Sequence, residues 1–511
     1  MTDINQILKK YYGYDSFRPG QFEIVTNIMR GRDICAVMPT GAGKSICYQI
    51  PALAMDGVTL VISPLISLMQ DQVRILKSIG VPAAYLNSSL TPRQVDLAIS
   101  RAAQGAYKII YAAPERLESP KFIEFVRKTK ISLIAVDEAH CISVWGHEFR
   151  PSYRRITKFV DKLAVRPVIA AFTATASETV KQDIVQQLNL KSPYCITASF
   201  DRPNLYFGAI SIDDRDTKEF AADKKMEWMC NYLQKHKDES GIVYCLTKKQ
   251  TEIVAENLSD LGYSSAAYHA GMNTEKRKQI QEDFTFGKIK IIAATTAFGM
   301  GIDKPDVRFV IHYDMPSGLE DYYQQAGRAG RDGEDAECIL LYSYRDYCII
   351  RDYFILRPHD NEQNDGMTAA ERKDRINAKL ENLNKMKSYA LSQYCLRRNM
   401  LSYFGEKSPE RCGKCSFCRK NSIDKQIVRI TPKDFDEELY IKLKAKVKIL
   451  SILNGVPVYT IAGDGMLKEM ASLKPMNVTQ MKKISGLGEE KIRRYGDEFL
   501  KIIIEHIKQK R

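Results

Sequence analysis

The chain has 511 residues, too many for one compact core, so several domains are expected. Hydrophobic residues make up 44% and charged residues 27%, which excludes a disordered chain; no run of about 18 apolar residues occurs, so a membrane-spanning helix is not expected. The formal net charge of +14 points to a polyanionic partner, and charge alone does not say which one.

The opening MTDINQILKK lacks the apolar core of an export signal. Eight of the twelve cysteines (Cys35, Cys47, Cys141, Cys195, Cys230, Cys245, Cys338, Cys348) are scattered singly, as ordinary thiols of a reduced, intracellular protein. The expectation is therefore a cytoplasmic protein without a membrane association. The charge is unevenly spread. Residues 371–433 hold 16 Lys and Arg against 6 Asp and Glu, and residues 434–511 hold 15 against 11, so these two stretches carry the whole excess.

In chain order, the first 200 residues alternate short apolar runs with helix-like stretches. The runs are DICAVMP, VTLVISP, KIIYAAPE, LIAVDEAH and VIAAFTATA. That alternation predicts βαβ units around a buried parallel sheet, with chemistry at the polar carboxyl ends of the strands. A second set, GIVYCLT, SSAAYHAGM, KIIAATTAFGMG, VRFVIHYDMP and AECILLYS, predicts a second α/β lobe without a phosphate loop of its own. The polar stretch 211–225 reads as a joint between the lobes. Residues 346–394 read as helical with a polar interruption at 357–367, and 434–511 read as a small helical bundle. The expected divisions are 1–205, 206–345, 346–425 and 434–511. The fold class is α/β: two tandem parallel-sheet lobes, then a helical metal-binding subdomain and an all-α bundle.

After the first strand comes Thr40-Gly41-Ala42-Gly43-Lys44-Ser45. Glycines let backbone N–H groups close around phosphates, the lysine reaches the β- and γ-phosphates, and the serine hydroxyl ligates Mg²⁺. Met38 stands where the strict pattern has its first glycine. Asp137-Glu138-Ala139-His140 follows LIAV; the aspartate is placed to hold Mg²⁺, and the glutamate to orient and deprotonate the attacking water. Upstream, in Phe17-Arg18-Pro19-Gly20-Gln21, the glutamine amide can pair with an adenine edge. ATP and Mg²⁺ are the implied cofactors.

In the second lobe, Arg328 and Arg331 stand three apart in QQAGRAGRDG, on one face if the segment is helical. They are candidates for arginine fingers. After the DEAH motif, Trp145, Phe149 and Arg150 are candidates for stacking on single-stranded bases. Cys395, Cys412, Cys415 and Cys418 give the spacing C-x16-C-x2-C-x2-C, which suits tetrahedral Zn²⁺; an iron–sulfur cluster is the alternative.

FRPGQ (17–21), TGAGKS (40–45), SPLISLMQDQV (63–73), APERL (113–117), DEAHCISVWGHEFRPSY (137–153), FTATA (172–176), ATTAFGMGIDKPDVRFVIHYDMP (294–316) and QQAGRAGRDG (324–333) occur in the order seen in superfamily 2 helicases. In detail they resemble the RecQ family, over about residues 1–420. The resemblance implies two RecA-like lobes, a zinc subdomain, and ATP-dependent unwinding of DNA with 3′-to-5′ polarity in repair and recombination. Its implied partners are single-stranded and tailed or forked DNA, with single-strand-binding or repair proteins; a monomer, nucleoid-associated in a bacterium, is the matching expectation. Gly-Ala-Gly replaces the family's three glycines, and Asp303 stands where asparagine is usual. Residues 434–511 resemble the HRDC domain, with Gly486-Leu487-Gly488 as a tight turn. Too few residues separate Cys418 from this bundle for the winged helix that most members carry, which puts unwinding efficiency and substrate preference in question. Two other readings compete: a DEAD-box enzyme acting on RNA, opposed by the cysteine cluster and the WGHEFRP loop, and a DNA-stimulated ATPase that anneals or remodels without efficient unwinding.

Overall fold

A computed structural model describes residues 3–39, 41–143, 150–212, 218–296, 298, 304–357, 369–420 and 435–509. Internal contacts divide the chain into two units. The first holds a seven-stranded sheet and the C-terminal bundle; the second holds a six-stranded sheet and the cysteine segment.

The first sheet contains β1 (Ile34–Val37), β2 (Val58–Ile62), β3 (Ala83–Leu86), β4 (Ile109–Ala112), β5 (Ile131–Val136), β6 (Val168–Thr173) and β7 (Tyr194–Thr197). Their order is β3-β4-β2-β5-β6-β1-β7, and every pairing is parallel. β1, β2 and β4 are buried along their whole length, as a sheet covered on both faces requires. One apolar cluster lies on each face, one around Leu60, Phe122 and Ile134, the other around Ile34, Tyr48 and Phe172. Because β6 and β1 are neighbours and β5 pairs with β6, the segments following these three strands emerge side by side.

The second sheet contains β8 (Leu205–Ser211), β9 (Ser240–Tyr244), β10 (Ser265–Tyr268), β11 (Ile291–Ala294), β12 (Val307–His312) and β13 (Ala336–Tyr342), in the order β10-β11-β9-β12-β13-β8, again all parallel.

The joint expected at 211–225 is not where the structure divides. β8 pairs with β13 from Leu205↔Ala336 to Ser211↔Tyr342, and the Lys218–Leu233 helix follows within the same unit. The division falls between Ser199 and Phe200. The polar stretch misled because one of its charges is internal. Lys225 is buried and donates to Asp314 Oδ1 at 3.1 Å and Asp346 Oδ2 at 2.8 Å. A buried ammonium is tolerated when paired in this way. Despite the burial, the two carboxylates push its pKa up to about 12.

The C-terminal bundle packs the helices Glu437–Asn454, Asp464–Leu473 and Glu489–Gln509, with short turns at Val458–Ile461 and Val478–Met481. Leu439, Leu443, Val447 and Leu450 form the buried stripe of the first, at helical spacing. Asp436 caps that helix by accepting from Leu439 N. Among the described residues no helix is long and apolar enough to cross a membrane.

Candidate functional site

The phosphate loop follows β1. Gly41 and Gly43 both take left-handed backbone, φ 85° and 80°, and Gly43 caps the Lys44–Ala54 helix. The freed N–H groups at this helix start form an anion cradle. Ser45 lies in its first turn, and Lys44 Nζ donates to Met38 O at 3.1 Å, holding the ammonium back over the loop. Met38 is buried and its N–H donates to Thr173 O, so the site of the missing first glycine is tied to the neighbouring strand.

Arg18 and Gln21 close the loop from the other side. Arg18 Nη1 donates to Gly41 O at 2.7 Å. Gln21, buried, accepts from Arg18 N at 2.9 Å and donates to Ala42 O at 3.0 Å and Gly43 O at 3.2 Å. Both ends of this amide are therefore spent on the chain itself, and here it braces the loop rather than facing open space for a base edge. A Cβ on Gly43 would overlap Gln21 Nε2, so glycine is required for the brace as well as for φ.

Asp137 and Glu138 emerge from β5. Asp137 N donates to Ile62 O at 2.8 Å, and Tyr153 hydroxyl donates to Asp137 O at 2.8 Å, fixing the turn from both sides. Burial, and next the charge of Glu138, push the Asp137 carboxyl up to about 7, with Lys44 pulling it down. Such an acid is short of positive charge, which suits a divalent cation. Glu138 sits at φ 48°, a left-handed conformation that costs a non-glycine residue of the order of 1 kcal/mol. Its Oε2 is buried without a hydrogen-bond partner, and lies 3.4 Å from His140 Nδ1. An orphan carboxylate oxygen beside an anion cradle is placed to take a water. His140 Nδ1 also meets Thr173 Oγ1 at 2.8 Å, and Thr173 Oγ1 donates to Thr175 O at 2.9 Å. The β5 and β6 ends are thereby joined.

In the second unit the Leu319–Ala326 helix stops at Gly327, so Arg328 and Arg331 lie in turns beyond its end rather than on one helix face. Gly330, at φ 55°, turns the chain between the two arginines. Arg328 is buried and interacts with Tyr244; Arg331 is half-buried. Arg202 clamps the turn, donating to Gly330 O at 2.7 Å and Ala329 O at 3.0 Å.

Cys395, Cys412, Cys415 and Cys418 present four sulfurs within 4.8 Å of one another. Tetrahedral zinc with Zn–S near 2.3 Å needs sulfurs about 3.8 Å apart, and Cys415 and Cys395 stand at 3.9 Å. A hydrogen bond from Cys412, aided by backbone N–H groups of Cys418 and Leu396, pulls the Cys415 thiol down against burial. The donor set fits Zn²⁺. The segment is anchored to its unit by Arg397, which pairs with Asp201 and donates to Arg202 O at 2.7 Å, and by the stacked rings of Phe200 and Phe404.

The sequence matches the DEAD/DEAH box helicase family over residues 18–183, the helicase conserved C-terminal domain over 224–333, the RecQ zinc-binding family over 358–419 and the HRDC domain over 436–503. An ATP-dependent DNA helicase RecQ of Bacillus subtilis (strain 168) is 41% identical over 424 residues, 83% of this chain and 68% of that protein.

The chain belongs to the RecQ family of ATP-dependent DNA helicases.

A RecQ helicase of Pasteurella multocida (strain Pm70) is also 41% identical, over 81% of this chain and 61% of its own length. Among solved structures, the DUF1998 helicase MrfA bound to DNA superposes with a TM-score of 0.56 at 22% identity, over 70% of this chain and 54% of that one. The DEAD-box helicase Mss116 bound to ssRNA reaches 0.56 at 17% identity, over 77% and 86%. These likenesses show the two-lobe fold. The RecQ zinc-binding match ends at 419 and the HRDC match begins at 436, so no winged helix is accommodated between them.

Of the remaining candidates, Thr40, Trp145 and Phe149 lie outside the described residues. Arg150 is half-buried, its N–H donating to Cys141 O at 2.8 Å. Sequence reasoning missed Thr173 and Tyr153, which hold the DEAH turn of the first unit, and Arg202, which holds the arginine turn of the second. FTATA carried a signal for the first, since a threonine at a strand end beside a DEAH strand has a polar group to place. Nothing local marked Arg202, whose partners are about 125 positions away.

Proposed function

We propose that the chain is a motor that hydrolyses ATP to move along single-stranded DNA with 3′-to-5′ polarity and so opens tailed or forked duplexes in repair and recombination. The observation that carries this reading is the convergence of the Lys44 loop, the Asp137–Glu138 turn and Thr173 at adjacent strand ends, in a chain that also carries the RecQ zinc cysteines.

Gly41, Gly43 and the first turn of the Lys44–Ala54 helix cradle the phosphates. Lys44 answers the β- and γ-phosphate charge. Ser45 and Asp137 would hold Mg²⁺, which would supply charge neutralisation at the phosphates. Glu138 takes the proton of the attacking water. Arg328 and Arg331 are assigned the arginine-finger role, a contribution of about 10³–10⁵ in rate. Trp145, Phe149 and Arg150 are assigned to DNA, where each stacked base is worth ~1–3 kcal/mol. Cys395, Cys412, Cys415 and Cys418 would hold Zn²⁺, which would supply folding energy to this segment.

ATP-dependent strand displacement on matched duplexes with a 3′ or a 5′ single-stranded tail tests the proposal. Displacement of the 3′-tailed duplex alone is expected; displacement of the 5′-tailed duplex alone would refute the polarity. A second reading is favoured by the missing winged helix: a DNA-stimulated ATPase that anneals or remodels DNA. It predicts hydrolysis stimulated by DNA with displacement of neither duplex.

A further inference from the structure

The C-terminal bundle meets the first lobe backbone to backbone. Gly13 ends the short N-terminal helical segment, Ile4–Ile7 continued by Leu8–Tyr12, with φ 74°. Its carbonyl accepts from Gly486 N at 3.0 Å. A Cβ on Gly13 would lie 2.5 Å from Gly488 N and 2.6 Å from the Leu487 backbone. From the other side, a Cβ on Gly488 would lie 3.0 Å from Tyr11 O and 3.1 Å from Lys10 O. Each partner is thus glycine where the other leaves no room for a side chain. Such mutual fit separates a built contact from a casual one.

The docked segment leads directly into the loop brace. Tyr12 hydroxyl donates to Gln49 Oε1 at 2.7 Å, on the helix that begins with Lys44. Gln49 donates in turn to Gln72 at 3.0 Å and Tyr111 at 3.1 Å inside the lobe. A few residues beyond Gly13, Arg18 and Gln21 hold the carbonyls of Gly41, Ala42 and Gly43. What steadies Lys10–Gly13 therefore steadies both the brace and the helix that bears the lysine.

We propose that the Gly486–Gly488 hairpin of the bundle is a docking element for the lobe's Lys10–Gly13 segment, and that docking tightens nucleotide binding. The functional half rests on the assignment of the Lys44 loop to ATP. Two substitutions break the contact from opposite sides while respecting local backbone. Gly488→Asp places an acceptable helix-capping residue, and an anion, against the Tyr11 and Lys10 carbonyls. Gly13→Asn keeps a residue that tolerates left-handed φ but fills the hairpin's space. Gly31→Asn is the control, since Gly31 has φ 80° with nothing within 4 Å of an added Cβ.

The full chain is measured by hydrogen exchange over Lys10–Tyr14 and Ser485–Gly488, and by equilibrium titration with a fluorescent ATP analogue. Both variants are expected to raise exchange in both segments, each including the one it does not alter, and to weaken analogue binding roughly three- to ten-fold. The control does neither. Unchanged exchange in the unaltered segment would overturn the docking. Raised exchange with unchanged analogue affinity would overturn the coupling. If the wild-type chain does not bind the analogue at all, the nucleotide assignment itself fails, and exchange still decides the docking.

Discussion

Gly43→Ala should damage nucleotide binding far more than a substitution at an ordinary left-handed glycine. Alanine at φ 80° costs about 1–2 kcal/mol of strain. Its Cβ also displaces the Gln21 amide, which gives up bonds at 2.9, 3.0 and 3.2 Å inside the lobe. At about 0.5–1.5 kcal/mol each, these add roughly 2–4 kcal/mol. Gly31→Ala carries the same strain with nothing to displace. Since 1.4 kcal/mol is tenfold, Gly43→Ala should weaken binding of a fluorescent ATP analogue by about tenfold or more, and Gly31→Ala should leave it alone. The double variant with Gln21→Ala isolates the displaced bonds: with the amide already gone, Gly43→Ala should add only the strain. Binding by Gly43→Ala within about twofold of wild type, or strict additivity in the cycle, would refute the brace.

Lys44→Ala should abolish ATP hydrolysis while DNA affinity by fluorescence anisotropy stays within about threefold; unwinding that persists would move the active site elsewhere. His312 is buried, and burial lowers its pKa to about 3. That is below the unfolded value, so its contribution to stability is full above about pH 6.5 and is lost as pH falls, by up to about 1.4 kcal/mol per unit. Urea unfolding of wild type and His312→Gln between pH 7 and 5 should give the steeper loss in wild type, and equal slopes would refute the assignment. Cys415→Ser should lower bound zinc, measured by release to a colorimetric chelator, from about one ion per chain toward none, and lower Tm; full zinc retention would remove Cys415 from the ligand set.

The central strands were legible because they are continuous apolar runs buried on both faces. β3, β7 and β8, which the sequence pattern did not reveal, stand at sheet edges, where one side needs no partner and the apolar signal thins. β7 alternates between half-buried and exposed residues. The phosphate loop and the DEAH turn were legible because their glycines and carboxylates are local. Gln21 was singled out for a base edge, but its backbone partners were not legible, since an amide can serve a base or a backbone equally well. The spacing of the two arginines would set them on one face only if their segment were helical, and the helix ends at Ala326, before either. The joint was misplaced because composition cannot separate a solvated charge from Lys225, whose counter-ions lie 89 and 121 positions away.

β8 closes one end of the second sheet, and its outer side is not left bare. Phe207 forms a bridge to Cys415, and Ala209 N donates to Ser416 Oγ at 3.3 Å. One of the four clustered cysteines and its neighbour thus occupy hydrogen-bonding positions that another strand would otherwise seek. The cysteine segment is therefore also a guard against self-association. If the cluster holds zinc as proposed, stripping it should uncover an edge ready to pair with a second chain, with a rise in particle size as the expected first sign.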